Sequence, residues 1–378
     1  MKPSAQMLRL LPDTGAFLEK TDSESLVEAQ FSGVERLLTS RRIRNLGYDK
    51  EIDEGGLESM DGEKGIPDVA DTAVVDDERL RVLEAGRRGM EKLHSEGDLA
   101  DLAPDEQFGL EAIILLTNRP ALLIQRGQLL QVPEEWAMLT ERQEAIARTA
   151  RSVGRIEVDG HPSNDWLGTG FLVADDVVMT NRHVALEFCE KPLGRRTWRF
   201  MSGMKSRIDY VEEWGVLERA EFEFRNVIGI HPEYDMALFR VRRVSTAGAE
   251  PPKPLTIASR PPAGADDPVG RQVFACGYPA WDGRRNDPTE MMRIFANIFN
   301  VKRVQPGELR GMFTGTRNVV THDCSTLGGN SGSCVVDLET EQVLALHFGG
   351  RYMEANRGVA LWKLTDDPLL KKARVNFA

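Results

Sequence analysis

The chain has 378 residues, of which 48 are basic and 59 acidic, so its formal net charge at pH 7 is −11. At roughly 100–200 residues per domain, this length predicts two or three domains. The four cysteines show no paired spacing, which excludes a disulfide scaffold and a zinc ribbon, and we expect no metal and no cofactor. No apolar run is long enough for a membrane span or a secretory signal, so we expect a cytoplasmic protein without a membrane partner. The shortage of Lys and Arg argues against a nucleic-acid partner.

Charge and composition divide the first 150 residues. Residues 1–48 mix apolar and basic positions and predict a small N-terminal module with a weak helical pattern. Residues 49–76 hold glycines and many carboxylates, which is typical of a flexible, self-repelling acidic linker. Residues 77–150 alternate helical apolar patterns with short apolar runs, so we expect a helical or mixed segment that packs on the domain after it. Residues 51–106 alone carry 18 acidic and 6 basic side chains.

From residue 151 onwards the sequence changes to short strand-like runs separated by Gly, Pro and Asp turns. Examples are RIEV, GTGFLVA, VVMT, MALFRV, SCVVDL and QVLALHF. This spacing predicts an all-β domain, either a sandwich or a pair of barrels. A proline-rich stretch from Ala249 to Pro268 separates the two halves. The tail predicts a closing helix, with Asp367 as its N-cap and Pro368 in its first turn.

Three segments carry residue types that suit acyl transfer. GTGFLVADDVVMTNRHVA places His183 just after a strand, HPEYDMALFRV places Asp235 at the entrance to one, and STLGGNSGSCVVD places Ser331 in a glycine-rich turn. In this order the segments resemble the chymotrypsin-fold (trypsin-like) serine proteases, especially the bacterial trypsin-like and glutamyl-endopeptidase branch. The resemblance covers about residues 151–370. It implies a mainly β domain of two six-stranded antiparallel β-barrels, with barrel one at about 151–247, barrel two at about 253–364, and a C-terminal helix at about 366–376 within a protease domain of 151–378.

The chemistry of the three residues fits this resemblance. A serine hydroxyl is a weak nucleophile and needs an adjacent base, which an imidazole supplies near neutral pH. A carboxylate on the far ring nitrogen fixes the imidazole tautomer. We therefore expect Ser331 as nucleophile, His183 as general base and acid, and Asp235 as the residue that orients it. As in the family, the N–H groups of Gly329 and Ser331 are expected to form the oxyanion hole.

The resemblance also implies a substrate-binding pocket. Its expected lining residues are Ser325, Thr326, His347, Gly349, Gly350 and Gly358. No Asp stands at Ser325, so a preference for Lys or Arg is not expected. Thr326 and His347 resemble the pair with which glutamyl endopeptidases hold an acidic P1 side chain, and a hydroxyl with an imidazole suits a carboxylate. The alternative is that His347 packs under the triad and the pocket takes a small or apolar side chain.

The sequence also allows predictions for an asparagine, two cysteines and the remaining histidines. Asn330 stands where the animal trypsins have an Asp, so an ion pair with a freshly cut N-terminus cannot form. Cys276 and Cys334 are expected to be buried free thiols. The remaining histidines are interpreted as structural or surface residues, namely His94, His161, His231 and His322.

The sequence thus predicts a serine endopeptidase that cleaves proteins or peptides through an acyl-enzyme. Its N-terminal region is expected to control it and to offer a site for a regulatory partner. The alternative is a latent or non-catalytic protease-fold module that binds peptides or partner proteins. No HExxH motif or clustered ligand spacing supports a metal-dependent hydrolase.

Overall fold

A computed structural model describes most of the chain from residue 119 onwards. The described residues are 85, 88, 89, 92, 103, 106, 119–130, 132–133, 136–195, 197–261, 268–280, 298–313, 317–351 and 355–378. The predicted modules 1–48 and 49–76, and His94, lie outside them. The chain divides into two compact units. One comprises Met1–Pro120, Pro133–Trp136 and Gly283–Ile298, and the other Ala121–Val132, Ala137–Asp282 and Phe299–Ala378.

The second unit is built mainly from strands. Its elements are β1 (Leu122–Gln125), β2 (Gln128–Leu129), α1 (Met138–Glu141), α2 (Gln143–Arg151), β3 (Val153–Asp159), β4 (Trp166–Ala174), β5 (Val177–Thr180), α3 (Arg182–Leu186), β6 (Cys189–Glu190), β7 (Arg199–Phe200), β8 (Lys205–Asp209), β9 (Glu221–Ile230), β10 (Ala237–Val241), β11 (Gln272–Gly277), β12 (Arg303–Met312), β13 (Val319–His322), β14 (Cys334–Asp337), β15 (Val343–Arg351), β16 (Ala355–Ala360) and α4 (Pro368–Ala373).

The first barrel is a closed sheet with the strand order β10-β5-β4-β3-β8-β9. Its strands alternate: in β9, Phe222 and Phe224 are buried while Glu223 and Arg225 are exposed. Because successive side chains of a strand point to opposite faces, this pattern fills the barrel with aromatic rings. Phe224 and Phe239 stack inside it at a centroid distance of 4.9 Å. The barrel alternative of the sequence prediction is therefore confirmed for this half.

The second barrel closes through β11, β14, β15, β16, β13 and β12, since β12 also pairs with β11. The predicted chymotrypsin-like architecture of two six-stranded antiparallel barrels is confirmed. A hairpin of β1 and β2 extends this sheet, because β1 pairs with β12 through Leu122↔Val304 and Leu123↔Arg303. Residues 121–132 therefore belong to the unit that holds both barrels.

The C-terminal helix α4 begins as its sequence predicts. The Asp367 side chain accepts hydrogen bonds from Leu369 N and Leu370 N, and Pro368 occupies the first turn. Both features satisfy or remove backbone N–H groups that a helix start leaves without partners. All four cysteines are buried free thiols, which confirms the prediction for Cys276 and Cys334. These two residues lie opposite each other on β11 and β14.

Few residues of the first unit are described. Lys92 Nζ donates to Glu106 Oε2 at 2.7 Å, and Ala103 N donates to the same oxygen at 2.9 Å. These contacts hold a carboxylate that is only 5% exposed. No helix among the described residues is both long and apolar enough to cross a membrane.

Candidate active site

His183 and Asp235 meet at one end of the first barrel. His183 lies on α3 directly after β5, and Asp235 lies in the turn before β10. The end of β5 lies beside the start of β10, because Thr180 pairs with Ala237, so His183 and Asp235 lie at the same end of the barrel. His183 Nδ1 lies 2.6 Å from Asp235 Oδ2, and the His183 backbone N–H donates to Asp235 Oδ1 at 3.0 Å. Both carboxylate oxygens of Asp235 thus form hydrogen bonds with His183.

Two neighbours of His183 hold the loop that carries Asp235. Asn181 Nδ2 donates to Asp235 O at 2.9 Å, and an Arg182 guanidinium N–H donates to Tyr234 O at 2.8 Å. Burial alone would raise the pKa of Asp235, but the hydrogen bonds and charge of His183 outweigh it and leave that pKa below its ordinary value. The carboxylate therefore stays ionised at neutral pH and can stabilise an imidazolium. The ring itself remains accessible, with half of the His183 side chain exposed.

The turn that carries Ser331 is fixed from both barrels. Thr169 N on β4 donates to Ser331 O at 2.8 Å, and Gly332 N donates to His347 O on β15 at 2.9 Å. A Cβ placed on Gly168 would lie 2.9 Å from Ser331 O and 3.0 Å from Val184, the residue after His183. The Ser331 backbone therefore lies beside the helix of the histidine. Among the described residues, no hydrogen bond yet links the Ser331 hydroxyl to the His183 ring. Such bonds often tighten only when substrate binds.

Gly329 and Ser331 present two backbone N–H groups without acceptors in the described part of the chain. Ala280 N donates to Gly328 O at 2.6 Å, and Thr169 Oγ1 donates to Gly329 O at 2.8 Å. Because a peptide unit is planar and trans, fixing Gly328 O directs the Gly329 N–H to the opposite side. Gly329 has φ +81°, a conformation that glycine adopts without strain. Two oriented, unused N–H groups are what an oxyanion hole requires.

The predicted pocket residues cluster on β15, β16 and the segment before Ser331. His347 lies opposite Gly358 across the β15–β16 pair, and Gly350 lies opposite Asn356. Gly349 has φ +154°, and space is open where its side chain would be. Ser325 is buried, and the Thr326 hydroxyl donates to Asn356 Oδ1 at 2.8 Å. Thr326 therefore has a protein partner, which its sequence did not indicate.

His347 is buried beneath the Ser331 turn and pairs with a second histidine. His322 Nε2 lies 3.1 Å from His347 Nδ1. Burial lowers the pKa of His322 to about 3. Burial, followed by the charges of His322 and His183, lowers the pKa of His347 well below its ordinary value. Both rings are consequently neutral at pH 7. Of the two readings of His322, structural or surface, its full burial against His347 favours the structural one.

Among the described residues, one group of three carboxylates has the spacing of a metal site, namely Glu157, Asp209 and Glu212. The two glutamates already have cationic partners, whereas Asp209 Oδ1 accepts from the backbone N–H groups of Val211 and Ala220, and Asp209 Oδ2 has no hydrogen-bond partner in the described part of the chain. Arg155 binds Glu157 and Glu212 at 2.6 Å and 2.9 Å, and Arg207 binds Glu157 at 2.9 Å. Arginine is permanently charged and cannot make room for a metal by losing a proton, so the two glutamates form an ion-pair network with Arg155 and Arg207.

A comparison with known protein families identifies this arrangement. A model described as a trypsin-like peptidase domain matches residues 168–346, which include His183, Asp235 and Ser331. The chain contains a trypsin-like serine protease domain. A comparison with curated protein sequences found no match.

The protease domain also resembles solved protease structures. An inactive form of the Rv3671c protease of M. tuberculosis shares 24% identity, with a TM-score of 0.38, over 61% of this chain and 90% of that one. The active form of the same protease shares 22% identity at a TM-score of 0.39, over 61% and 85% of the two chains. The serine endoprotease of Yersinia pestis shares 16% identity at 0.40, over 62% and 66%. Likenesses of this size carry no argument about substrate or regulation.

Several residues of the protease domain that shape this site were missed by the sequence analysis. Thr169 binds two carbonyls of the Ser331 turn, Ala280 binds a third, and Asn356 joins Thr326 to the Cys324 carbonyl. The GTGF motif contains Thr169, so that residue could have been singled out. Ala280 and Asn356 carry no local signal, because their roles depend on contacts between distant strands.

Proposed function

We propose that this protein is a serine endopeptidase that uses Ser331, His183 and Asp235. The observation that carries the proposal is the Ser331 turn, which offers two unused N–H groups beside a histidine already paired with a carboxylate. The family match supports the same activity. A binding module would need neither the committed His183–Asp235 pair nor the two oriented donors.

In this mechanism Ser331 Oγ attacks the scissile carbonyl carbon while His183 Nε2 takes the hydroxyl proton. The N–H groups of Gly329 and Ser331 stabilise the resulting oxyanion, and one such donor contributes about 3–4 kcal/mol. The tetrahedral intermediate collapses to an acyl-enzyme as His183 gives its proton to the leaving amine. A water molecule then repeats the sequence, with His183 again acting as base and acid. Asp235 keeps the ring in the tautomer that leaves Nε2 free to accept.

Covalent labelling with a fluorophosphonate, read by intact mass, tests this proposal. We expect one adduct on the wild type and none on Ser331→Ala. Ser245→Ala, a substitution of a buried serine elsewhere in the chain, is the control and should be labelled like the wild type. A folded wild type without an adduct would refute the proposal in favour of a latent or peptide-binding module.

The same proposal includes a preference for an acidic P1 side chain. In this proposal His322 Nε2 is the donor and His347 Nδ1 the acceptor of their contact, which puts the His347 proton on Nε2, where it can donate to the carboxylate of the substrate. The Thr326 hydroxyl turns from Asn356 to become the second donor. The carboxylate would thus be held by neutral donors that are insensitive to pH above the lowered pKa values of both histidines.

A panel of peptides that differ only at P1 tests this preference. We expect the highest kcat/KM for Glu over Gln and Leu. Thr326→Val should lower kcat/KM for the Glu peptide and leave the Leu peptide unchanged. A wild type that prefers Ala or Leu would instead establish the small or apolar pocket.

Control by the N-terminal region also belongs to this proposal. Residues 1–120 lead directly into β1, which pairs with the barrel strand β12. The Arg126 backbone N–H in the β1–β2 turn donates to Glu213 Oε2 at 2.5 Å. A partner that moves the N-terminal region can therefore act on the protease sheet through this hairpin. The substrate is a protein or peptide, and the cytoplasmic setting stays a prediction.

A further inference from the structure

A buried amide pair lies beneath the Ser331 turn. Asn330, between the two oxyanion-hole residues, is fully buried, and so is Gln305 on β12. Gln305 Nε2 donates to Asn330 Oδ1 at 3.2 Å, and the Ser333 hydroxyl approaches the same oxygen at 3.4 Å. The side chain of the residue between Gly329 and Ser331 is thus held from inside the second barrel.

This amide pair costs more folding free energy than an apolar core contact would. Gln305 Oε1 and Asn330 Nδ2 are both buried and have no hydrogen-bond partner in the described part of the chain. A buried polar atom without a partner has lost its hydrogen bonds to water and gained none in return, whereas two apolar side chains of the same shape would cost little. Packing alone therefore does not account for two amides at this place, which points to a positional role.

The position of Gln305 is fixed on both sides of its strand. Gln305 lies opposite Ala275 of β11, and its neighbour Val304 lies opposite Leu122 of β1. A side chain on a strand that pairs on both edges has little freedom to move. Gln305 is therefore a rigid support, while the turn that it holds consists largely of glycines.

We propose that Gln305 is a positioning residue for the oxyanion hole, acting through Asn330. The inference rests on the proposed function, because an oxyanion hole matters only if Ser331 reacts. Asn330 contributes the backbone that joins the donors Gly329 and Ser331. Anchoring its side chain fixes the directions of both N–H groups. Without the anchor, the turn can rotate peptide units and lose a donor, with the nucleophile still in place.

Steady-state kinetics of Gln305→Met on a peptide substrate test this role. Met has a similar length and removes the hydrogen bond. Loss of one oxyanion donor costs about 10²–10³-fold in kcat, so partial misalignment is expected to cost ~10–100-fold. KM should stay within about twofold, because the oxyanion forms only after substrate binding. Leu309→Val, at a buried position on the same strand, is the control for lost packing and should keep the wild-type kcat.

A double-mutant cycle separates positioning from general damage. If Gln305 acts through Asn330, Gln305→Met should have little further effect on kcat in an Asn330→Ala background. Gln305→Asn is the second variant, in case Gln305→Met does not fold. It stays polar but is one methylene too short to reach Asn330, and it should lose kcat in the same way.

The outcomes distinguish this inference from the proposed function. A folded Gln305 variant with the wild-type kcat, or fully additive losses in the cycle, would overturn the positioning role while the protease proposal stands. A wild type without Ser331-dependent hydrolysis would instead overturn the proposed function. A loss of kcat at constant KM that vanishes in the Asn330→Ala background supports the inference.

Discussion

Replacing Asp235 by Asn should nearly abolish hydrolysis while keeping the shape of the site. In the wild type, Asp235 Oδ2 accepts from His183 Nδ1 at 2.6 Å, and Oδ1 accepts from the His183 backbone N–H at 3.0 Å. Asn offers one acceptor for these two donors. Its oxygen can keep the backbone bond, but its NH₂ group must then face Nδ1 and donate to it. The ring proton moves to Nε2, where it blocks acceptance of the Ser331 proton.

The magnitude follows from that wrong tautomer. Replacing the triad Asp by Asn in a serine protease, which gives the wrong histidine tautomer, lowers kcat about 10⁴-fold. At 1.36 kcal/mol for each factor of ten, this is ~5 kcal/mol of barrier. We expect a loss of this size in peptide hydrolysis and in the rate of fluorophosphonate labelling, with KM nearly unchanged because Asp235 does not contact substrate.

The chain provides a matched control in a second His–Asp pair. His231 Nε2 lies 3.0 Å from Asp367 Oδ2 at the start of α4, and both side chains are 8% exposed. Asp367→Asn makes the same chemical change in a pair that the proposed mechanism does not use, so kcat should not change. A loss below about tenfold for Asp235→Asn, or equal losses for both variants, would refute the proposed role of Asp235.

Three further predictions concern a glycine next to Ser331, a buried ion pair of the second barrel and the β1 strand. Gly332→Ala should prevent labelling and destabilise the fold by at least ~1–3 kcal/mol in urea titrations, because Gly332 has φ +93° and a Cβ there would collide with a β4 carbonyl. Arg271→Met should cost about 3–5 kcal/mol of unfolding free energy, since it removes the ion pair of the buried Asp337 carboxylate and leaves it only backbone N–H donors. Burial favours a higher pKa for Asp337, but Arg271 and backbone N–H groups lower it. The wild type should therefore keep this stability above the ordinary Asp pKa and lose it as pH falls through the lowered value, and urea titrations from pH 3 to 7 check this. A chain beginning at residue 119 should be labelled at the wild-type rate, whereas one beginning at residue 133 lacks β1 and should be labelled at least ~10-fold more slowly.

The three residues of the proposed triad could be singled out from the sequence because each lies in a short segment with its own signal. His183 follows a buried strand, Asp235 precedes one, and Ser331 lies in a glycine turn, so strand periodicity and motif order sufficed. The same periodicity predicted strands but left a sandwich and a barrel pair open. The closing contacts β9–β10 and β11–β12 decided between them.

The residues that hold the site in place could not be predicted in this way. Leu122 and Val304 are far apart in sequence, and their pairing has no local pattern. Gln305 is one of several polar residues in VKRVQPGELR, and alternation alone does not tell which side chain it contacts. His322 carries no sign of its contact with His347, because that contact depends on how β13 and β15 lie in the closed barrel. Residues whose roles arise from strand pairing become visible only in the fold.

The neutral character of the Asn330–Gln305 pair leads to one more expectation. An ion pair with a new N-terminal ammonium can form only after the chain is cut. Two amides need neither a charge nor a free terminus, so the same hydrogen bond is available in the uncut chain. We therefore expect the full-length wild type to react with a fluorophosphonate as fast as a chain beginning at residue 119, with no lag. Faster labelling after removal of residues 1–118 would instead mean that the N-terminal region inhibits the site directly, since the trimmed chain gains no new partner for Asn330.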